Sequence, residues 1–168
     1  MTPGEISYPE SPVYKSESEY WSVFQASVTP TCRYSPTEAS HVSIAILAAR
    51  ITKCQFAVKS GGHAAFRGAS NIPDGITIDL IKLNEITLSS DKQQVTVGAG
   101  NRWIDIYKQL VPQGLAVIGG RVPDIGVGGY TLGGGISFFS FRYGWACDNV
   151  ISYEVSNLRC GFYGLNNE

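Results

Sequence analysis

The stretch Phe56-Ala57-Val58-Lys59-Ser60-Gly61-Gly62-His63 decides how this 168-residue chain folds. Residues 56–58 form a short apolar run that is typical of a buried strand, and the glycine pair after it indicates a tight turn. A helix is predicted before this strand, because Ser35-Pro36-Thr37-Glu38 has the residues of a capping box. With a strand at residues 32–34, these segments predict a βαβ unit that ends in the glycine turn.

The rest of the chain predicts further short elements. Helical spacing of apolar residues extends the first helix from Pro36 to Arg50. A second helix, which ends before Pro112 and Gly114, is expected to carry Trp103, Ile106, Tyr107 and Leu110 on one face. β-Branched residues predict strands at 76–80, 86–88, 95–97, 115–118 and 150–155. Residues 1–31 carry four prolines and predict an arm with little regular structure.

Composition narrows the classes of function. An apolar content of 43% with 16% charged residues predicts a compact soluble protein. A net charge of −1 with scattered Lys and Arg argues against nucleic acid as a partner, and no apolar run is long enough to predict a membrane span. Met1–Glu5 lacks the features of a secretory signal, so the location stays open. The cysteines and histidines form no metal-binding pattern, and we expect no metal site.

The first candidate site is the turn Ser60-Gly61-Gly62-His63. Its backbone N–H groups could bind a pyrophosphate, because glycines let the main chain approach a ligand closely. The long polar loop after it, which contains Gly68, also indicates a ligand. The alternative is an ordinary strand-ending turn in which His63 bonds a nearby carbonyl. His41, on the first helix, is assigned no function.

The second candidate site is the glycine cluster at residues 126–135. It does not fit the dinucleotide fingerprint G-x-G-x-x-G, because Thr131 stands where the last glycine is needed, and no phosphate loop is present. The density of glycine still indicates a backbone that lies against something flat or bulky. The alternative is that the glycine segments pack tightly on each other.

Five segments in this order resemble the FAD-binding domain of the vanillyl-alcohol-oxidase superfamily, and most closely its berberine-bridge-enzyme-like branch of fungal FAD-linked oxidoreductases. The segments are Phe56–His63, Gly68–Asn71, Val97–Trp103, Gly126–Gly135 and Arg142–Val150, and the resemblance covers roughly residues 14–155. It implies an α+β fold, an FAD-binding domain of the PCMH type with two small α/β subdomains, incomplete at its C-terminus. We expect this domain over residues 32–155, between the arm at 1–31 and an atypical tail at 156–168.

The resemblance also implies a flavoprotein oxidoreductase. In such enzymes a CH–OH or C–H donor of a small-molecule substrate is oxidised by hydride transfer to FAD, often with oxygen as acceptor, and the residue at the position of His63 is bonded to the flavin 8α-methyl carbon. The residues implied in cofactor binding are Ser60, Gly61, Gly62, His63, Gly68, Gly126, Gly128, Gly129, Leu132, Gly133, Gly134, Gly135, Tyr143, Gly144, Asp148, Asn149 and Val150.

Two other hypotheses stay open beside this one. The catalytic base of the family is expected outside this chain, so the chain is alternatively a truncated FAD-binding fragment without activity. A glycine-rich structural module that binds no nucleotide is the third hypothesis, and the ordered motifs disfavour it.

The cysteines lead to two expectations of their own. Val122 occupies the place of a cysteine that some family members bond to the flavin, so a single covalent bond is expected, and Cys147 is expected to be a small buried residue. Cys32 and Cys54 flank the first helix at the starts of two strands expected to be parallel neighbours, so we hypothesise a disulfide between them.

Overall fold

The first half of the protein is built on a four-stranded sheet. The computed structural model describes residues 4–157 and the backbone of residues 162–166. Strand β1 (Glu5–Ser7) is antiparallel to β2 (Cys32–Ser35), and both β2 and β3 (Phe56–Lys59) run parallel to β4 (Ile76–Asp79). The order across the sheet is therefore β1-β2-β4-β3, and the predicted strand into the glycine turn is confirmed as β3.

The second half begins with a hairpin packed on a helix. Strands β5 (Ile86–Leu88) and β6 (Val95–Val97) pair antiparallel, as predicted, and helix α4 covers Trp103–Leu110. Trp103, Ile106 and Leu110 of α4 are buried against the apolar side chains of the hairpin. Two short helices follow, α5 (Val127–Leu132) and α6 (Ser140–Tyr143). None of the helices in the described ranges is both long and apolar enough to cross a bilayer.

The N-terminal arm is regular, contrary to expectation. It contains β1 and the short helices α1 (Pro12–Glu17) and α2 (Val23–Ala26). Ser11 caps α1 by accepting a hydrogen bond from the Tyr14 N–H at 3.2 Å. The buried Tyr14 hydroxyl donates to the Pro30 carbonyl at 2.7 Å and closes the arm on itself. The prolines thus begin a helix and accept a tertiary hydrogen bond instead of keeping the arm extended.

The first long helix starts later than its capping motif predicts. Helix α3 covers Ala39–Thr52 rather than beginning at Pro36, and its N-cap, Glu38, makes no side-chain cap. Ser35, the expected cap, is the last residue of β2, and its hydroxyl donates to Glu17 Oε1 at 2.9 Å. The Ser35 side chain is therefore engaged by Glu17, which is distant in sequence, and does not cap the helix.

Residues 115–118 do not form the predicted strand. In the part of the chain that the structure describes, no strand pairs with them, and Leu115 and Val117 instead pack on the α4 core. The Tyr107 hydroxyl anchors the segment by donating to the Gly120 carbonyl at 2.7 Å, and burial raises the pKa of Tyr107 to about 12. The apolar run thus reflects packing, because a strand also needs a neighbour for its backbone hydrogen bonds.

The end of the chain forms a hairpin. Strand β7 (Ser152–Ser156) confirms the last predicted strand, and β8 (Phe162–Asn166) pairs with it antiparallel. Part of the tail at 156–168 is therefore a strand, although its sequence has no clear period. Residues 158–161, which include Cys160, and residues 167–168 lie outside the described residues.

The hypothesis of a disulfide between Cys32 and Cys54 is wrong. Both are free thiols. Strands β2 and β3 are not neighbours, because β4 lies between them, and strands two places apart are about 10 Å from each other.

We expect mass spectrometry to find Cys32 and Cys54 alkylated to the same extent with and without reductant. Burial raises the pKa of Cys32, with a smaller contribution from Cys54, so its alkylation should need denaturant or raised pH. A cross-linked peptide pair in the sample without reductant would contradict this expectation.

Candidate flavin site

Three loop segments cross at the centre of the molecule. The backbones of Gly61 and Gly126 touch so closely that a Cβ on either residue would overlap the other. The Ser60 hydroxyl joins all three segments, because it donates to the Ala99 carbonyl at 2.6 Å and accepts from the Gly128 N–H at 3.2 Å. The alternative of glycines packed on glycines therefore holds at Gly61 and Gly126.

The first glycine turn presents unused backbone donors. Gly62 has φ +68°, which turns the chain sharply after β3. In the described ranges, the N–H groups of Gly61, Gly62 and His63 donate no hydrogen bond to the protein. Successive free N–H groups in a turn favour an anion, so the turn has the donor set that a pyrophosphate requires.

A buried cluster with an excess of one positive charge lies next to this turn. Asp79 is fully buried, and its Oδ2 atom is 2.7 Å from Lys59 Nζ and 3.7 Å from Arg33 Nη1. A Cβ on Gly62 would lie 3.1 Å from Lys59 Cε, which places the cluster directly against the turn. One carboxylate faces two cations, so the cluster favours negative charge at the turn.

His63 lies at the mouth of a cavity and against a tryptophan. Its carbonyl accepts a hydrogen bond from Trp21 Nε1 at 2.7 Å, and the two rings are 5.0 Å apart. Among the described residues the imidazole makes no hydrogen bond, so the alternative of a histidine bonded to a carbonyl is wrong. The cavity beside it, the histidine cavity, measures 480 Å³ and is lined by Ser16, Glu17, Glu19, Tyr20, Trp21, Lys59, Gly61, Gly62, His63, Ile81, Arg102 and Asp124.

A second cavity opens on the glycine cluster. This glycine cavity measures 360 Å³ and is lined by Arg121, Val122, Ile125, Gly129, Tyr130, Gly133, Gly135 and Ile136. A Cβ on Gly129 would meet nothing within 4 Å, so the bare backbone faces open space. The Tyr130 hydroxyl is buried and has no partner among the described residues. Burial raises its pKa, against the opposing effect of Arg121, so it stays a hydrogen-bond donor.

The two cavities fit a flavin nucleotide in complementary ways. The glycine cavity offers a largely apolar wall and an exposed backbone, as a flat heterocycle requires. The histidine cavity offers free N–H groups and an imidazole. Glu17, Glu19 and Asp124 make its rim acidic, so the favourable environment for an anion is confined to the turn itself.

The segment after α6 uses its polar side chains internally. Asn149 Nδ2 donates to the carbonyls of Tyr143 and Trp145 at 2.9 and 2.8 Å, and Asp148 Oδ2 accepts from the Trp145 N–H at 2.8 Å. A Cβ on Gly144 would lie 2.8 Å from Asp148 Oδ2. Asp148 and Asn149 thus hold the shape of the loop.

The remaining predicted site residues lie outside both cavity linings. Gly134, with φ +93°, packs under the Trp145 ring, and Gly68 is in the loop after His63. Leu132 ends α5 with 82% of its surface exposed, and Val150 joins the loop to β7. The structure therefore brings together the turn, the crossing and the glycine cavity, but not all of the predicted residues.

Sequence reasoning missed several residues that line the cavities. Tyr130 stands inside the glycine cluster at residues 126–135 but was given no role, and Arg121 was not singled out. Trp21 lies in the N-terminal arm, and no local signal links it to His63. Arg102 and Asp124 form an exposed ion pair at 3.5 Å across the crossing, and only the fold joins them.

Comparisons with known proteins agree with this geometry. The family model described as an FAD binding domain matches residues 30–159. The FAD-dependent monooxygenase tpcD of Cochliobolus heterostrophus is 45% identical over 138 residues, which are 82% of this chain and 27% of that protein. The chain thus spans less than a third of the length of this curated relative.

Solved structures show the same fold. 6-Hydroxy-D-nicotine oxidase from Arthrobacter nicotinovorans superposes with a TM-score of 0.88 at 24% identity, over 97% of this chain and 36% of that one. A glucooligosaccharide oxidase from Acremonium strictum, described as carrying a 6-S-cysteinyl, 8α-N1-histidyl FAD, gives 0.86 at 20% identity, over 97% and 34%. The chain belongs to the family of FAD binding domains, because the family model matches residues 30–159 of its 168 residues.

Proposed function

We propose that this chain binds FAD across the central crossing, with the pyrophosphate on the turn at Gly61, Gly62 and His63. The observation that carries the proposal is the row of free N–H groups beside a buried excess of positive charge. The isoalloxazine would begin at His63, where its 8α-methyl group must lie for the bond proposed below, and extend toward the glycine cavity, where Gly129 leaves room. The other predicted cofactor residues would contribute through their backbones or through the shape of the loops that they hold.

We propose further that the flavin is bonded to His63 alone. The imidazole has no hydrogen-bond partner among the described residues, and Val122 lines the glycine cavity at the place where a second bond would need a cysteine. His63 would hold the flavin through a bond from a ring nitrogen to the 8α carbon, with loss of one hydrogen from each atom. Molecular oxygen would accept the two electrons that this bond formation releases. A histidyl substituent withdraws electrons from the ring and favours hydride acceptance.

The parent activity we propose is oxidation of a CH–OH or C–H donor of a small molecule. The bound flavin supplies the chemistry by accepting a hydride, with oxygen as the second substrate. The residues of this chain would hold the cofactor and tune it through His63. The base that removes a proton from the substrate is not assigned to any described residue.

FAD binding without turnover is the second candidate function. It is favoured by the exposed aromatic side chains that follow the glycine cluster in the chain, Phe138 at 75% and Phe141 at 107%, which are open to water. Anaerobic mixing with candidate alcohols separates the two functions. Bleaching of the flavin absorbance by an alcohol supports oxidation, whereas bleaching by dithionite alone supports binding without turnover.

We expect His63→Ala to abolish acid-stable flavin. The parent protein, precipitated with acid, should keep its yellow colour in the pellet, because a carbon–nitrogen bond survives denaturation. The variant should release its flavin to the supernatant. His41→Ala is the matched control, since His41 lies on α3 beside Thr37 and Glu38 and should keep the parental result. Acid-stable flavin in His63→Ala would refute attachment at this residue.

A further inference from the structure

We propose that the N-terminal arm acts as a clamp on the loop at residues 63–71, and that Trp21 positions His63 for its bond to the flavin. This inference rests on the proposed function and adds a positioning residue to it. It assigns a role to an arm whose sequence predicted no part in the site.

The contact between Trp21 and His63 constrains both the backbone and the ring. The indole N–H donates to the His63 carbonyl at 2.7 Å, a length typical of a well-formed hydrogen bond. The ring centroids are 5.0 Å apart, tilted by 31°, within the range in which aromatic rings attract. The hydrogen bond fixes the peptide that carries the imidazole, and the ring contact limits the rotamers of the imidazole.

The arm holds Trp21 in place through partly buried hydrogen bonds on both sides of it. Ser22 Oγ donates to the Ala65 carbonyl at 2.7 Å, and the Tyr20 hydroxyl donates to the Ser70 carbonyl at 3.2 Å. Farther along, Asn71 Nδ2 donates to the Val28 carbonyl at 2.6 Å. The arm and the loop after His63 are thus fastened at several points.

The same arm shapes the glycine turn. A Cβ on Gly62 would lie 2.9 Å from the Tyr20 ring, so the arm covers the turn at van der Waals distance. The indole itself is 62% exposed, so its substitution removes little buried surface. A loss of covalent flavin on substitution would therefore report positioning of His63 and not collapse of the fold.

The clamp matters for the covalent step because that step requires a ring nitrogen to meet a methyl carbon in line. Reacting atoms must be held near contact distance, and small misplacements slow such reactions strongly. The step joins the imidazole nitrogen to the 8α carbon with loss of a hydrogen from each. Its two electrons pass through the flavin to oxygen. Trp21 takes no part in this chemistry and acts only through His63.

The test measures covalent and released flavin separately in the parent and in two variants incubated with FAD. Trp21→Phe keeps a ring but deletes the donor, and the rate of acid-stable incorporation should fall about fivefold. Trp21→Leu removes both contacts, and the rate should fall about thirtyfold. Total bound flavin should stay at the parental level in both. Phe24→Leu is the matched control, because Phe24 is an exposed aromatic residue of the same arm, at 70%.

The outcomes separate this inference from the proposed function. Parental incorporation rates in Trp21→Phe and Trp21→Leu overturn the clamp while leaving the histidyl flavin intact. A fall of both flavin fractions together with the melting temperature also overturns it, because Trp21 would then be merely structural. A parent that binds no flavin overturns the proposed function and the clamp with it.

Discussion

Gly126→Ala is expected to lower the free energy of unfolding by about 3 kcal/mol or more. The added Cβ would overlap the Gly61 backbone, and neither backbone can move without breaking the links through Ser60. Urea unfolding followed by tryptophan fluorescence measures the change. Failure to obtain folded protein would agree with the prediction, whereas parental stability would mean that the two segments do not cross in contact.

Gly129→Ala is the matched control for that variant and tests the cavity at the same time. Gly129 lies in α5, and a Cβ there meets nothing within 4 Å, so stability should rise by up to about 1 kcal/mol through helix propensity. The methyl group would enter the proposed isoalloxazine site, so FAD affinity should fall on the order of tenfold. A fluorescence titration in the His63→Ala background keeps binding reversible. Unchanged affinity would place the flavin elsewhere.

Asp79→Asn is expected to destabilise the protein by about 3–5 kcal/mol, with a fall in melting temperature on the order of 10 °C. The substitution keeps the size of the side chain but leaves Lys59 and Arg33 as two buried cations without a counter-charge. Asparagine can still accept the Ile81 N–H, which now bonds Asp79 Oδ1 at 3.2 Å. The loss should therefore come from charge and not from the turn.

Two controls separate this electrostatic effect from others. Asp74→Asn changes an exposed aspartate in a left-handed conformation that asparagine tolerates, so stability should stay within about 0.5 kcal/mol of the parent. The double variant Asp79→Asn, Lys59→Met removes one of the two stranded cations and should recover part of the loss. A neutral effect of Asp79→Asn would show that water reaches the cluster.

The local elements were predictable from sequence where their signals are local. Strands β5 and β6 have the predicted bounds, and helix α4 forms where its apolar face predicts a helix, because alternating β-branched residues and one apolar helical face need no distant information. The predicted start of the first helix at Pro36 was wrong because the Ser35 hydroxyl donates to Glu17, which is 18 residues away in the sequence. The strand predicted at residues 115–118 does not form, because an apolar run is as compatible with packing on a helix as with a strand.

The candidate site likewise contains residues that the sequence indicates and residues that only the fold brings together. The glycine turn, His63 and the second glycine cluster stand out by composition and order, and their ordered motifs carry the family resemblance. Tyr130 and Arg121 did not stand out, because an unpartnered hydroxyl or a cation facing a cavity is recognised only when its surroundings are known. The contact of Trp21 with His63 likewise joins residues with no local pattern between them.

The sequence by itself determined the family, the βαβ unit that ends in the glycine turn, and the residues available to meet a flavin. Tertiary structure alone decided that β4 lies between β2 and β3, so that these two strands are not neighbours. It alone also brought Arg33, Lys59 and Asp79 into one buried cluster and placed the N-terminal arm against the glycine turn at Gly62. The physical reason is that strand order, buried ion pairs and backbone crossings join residues far apart in the chain. Propensity and periodicity act only between near neighbours.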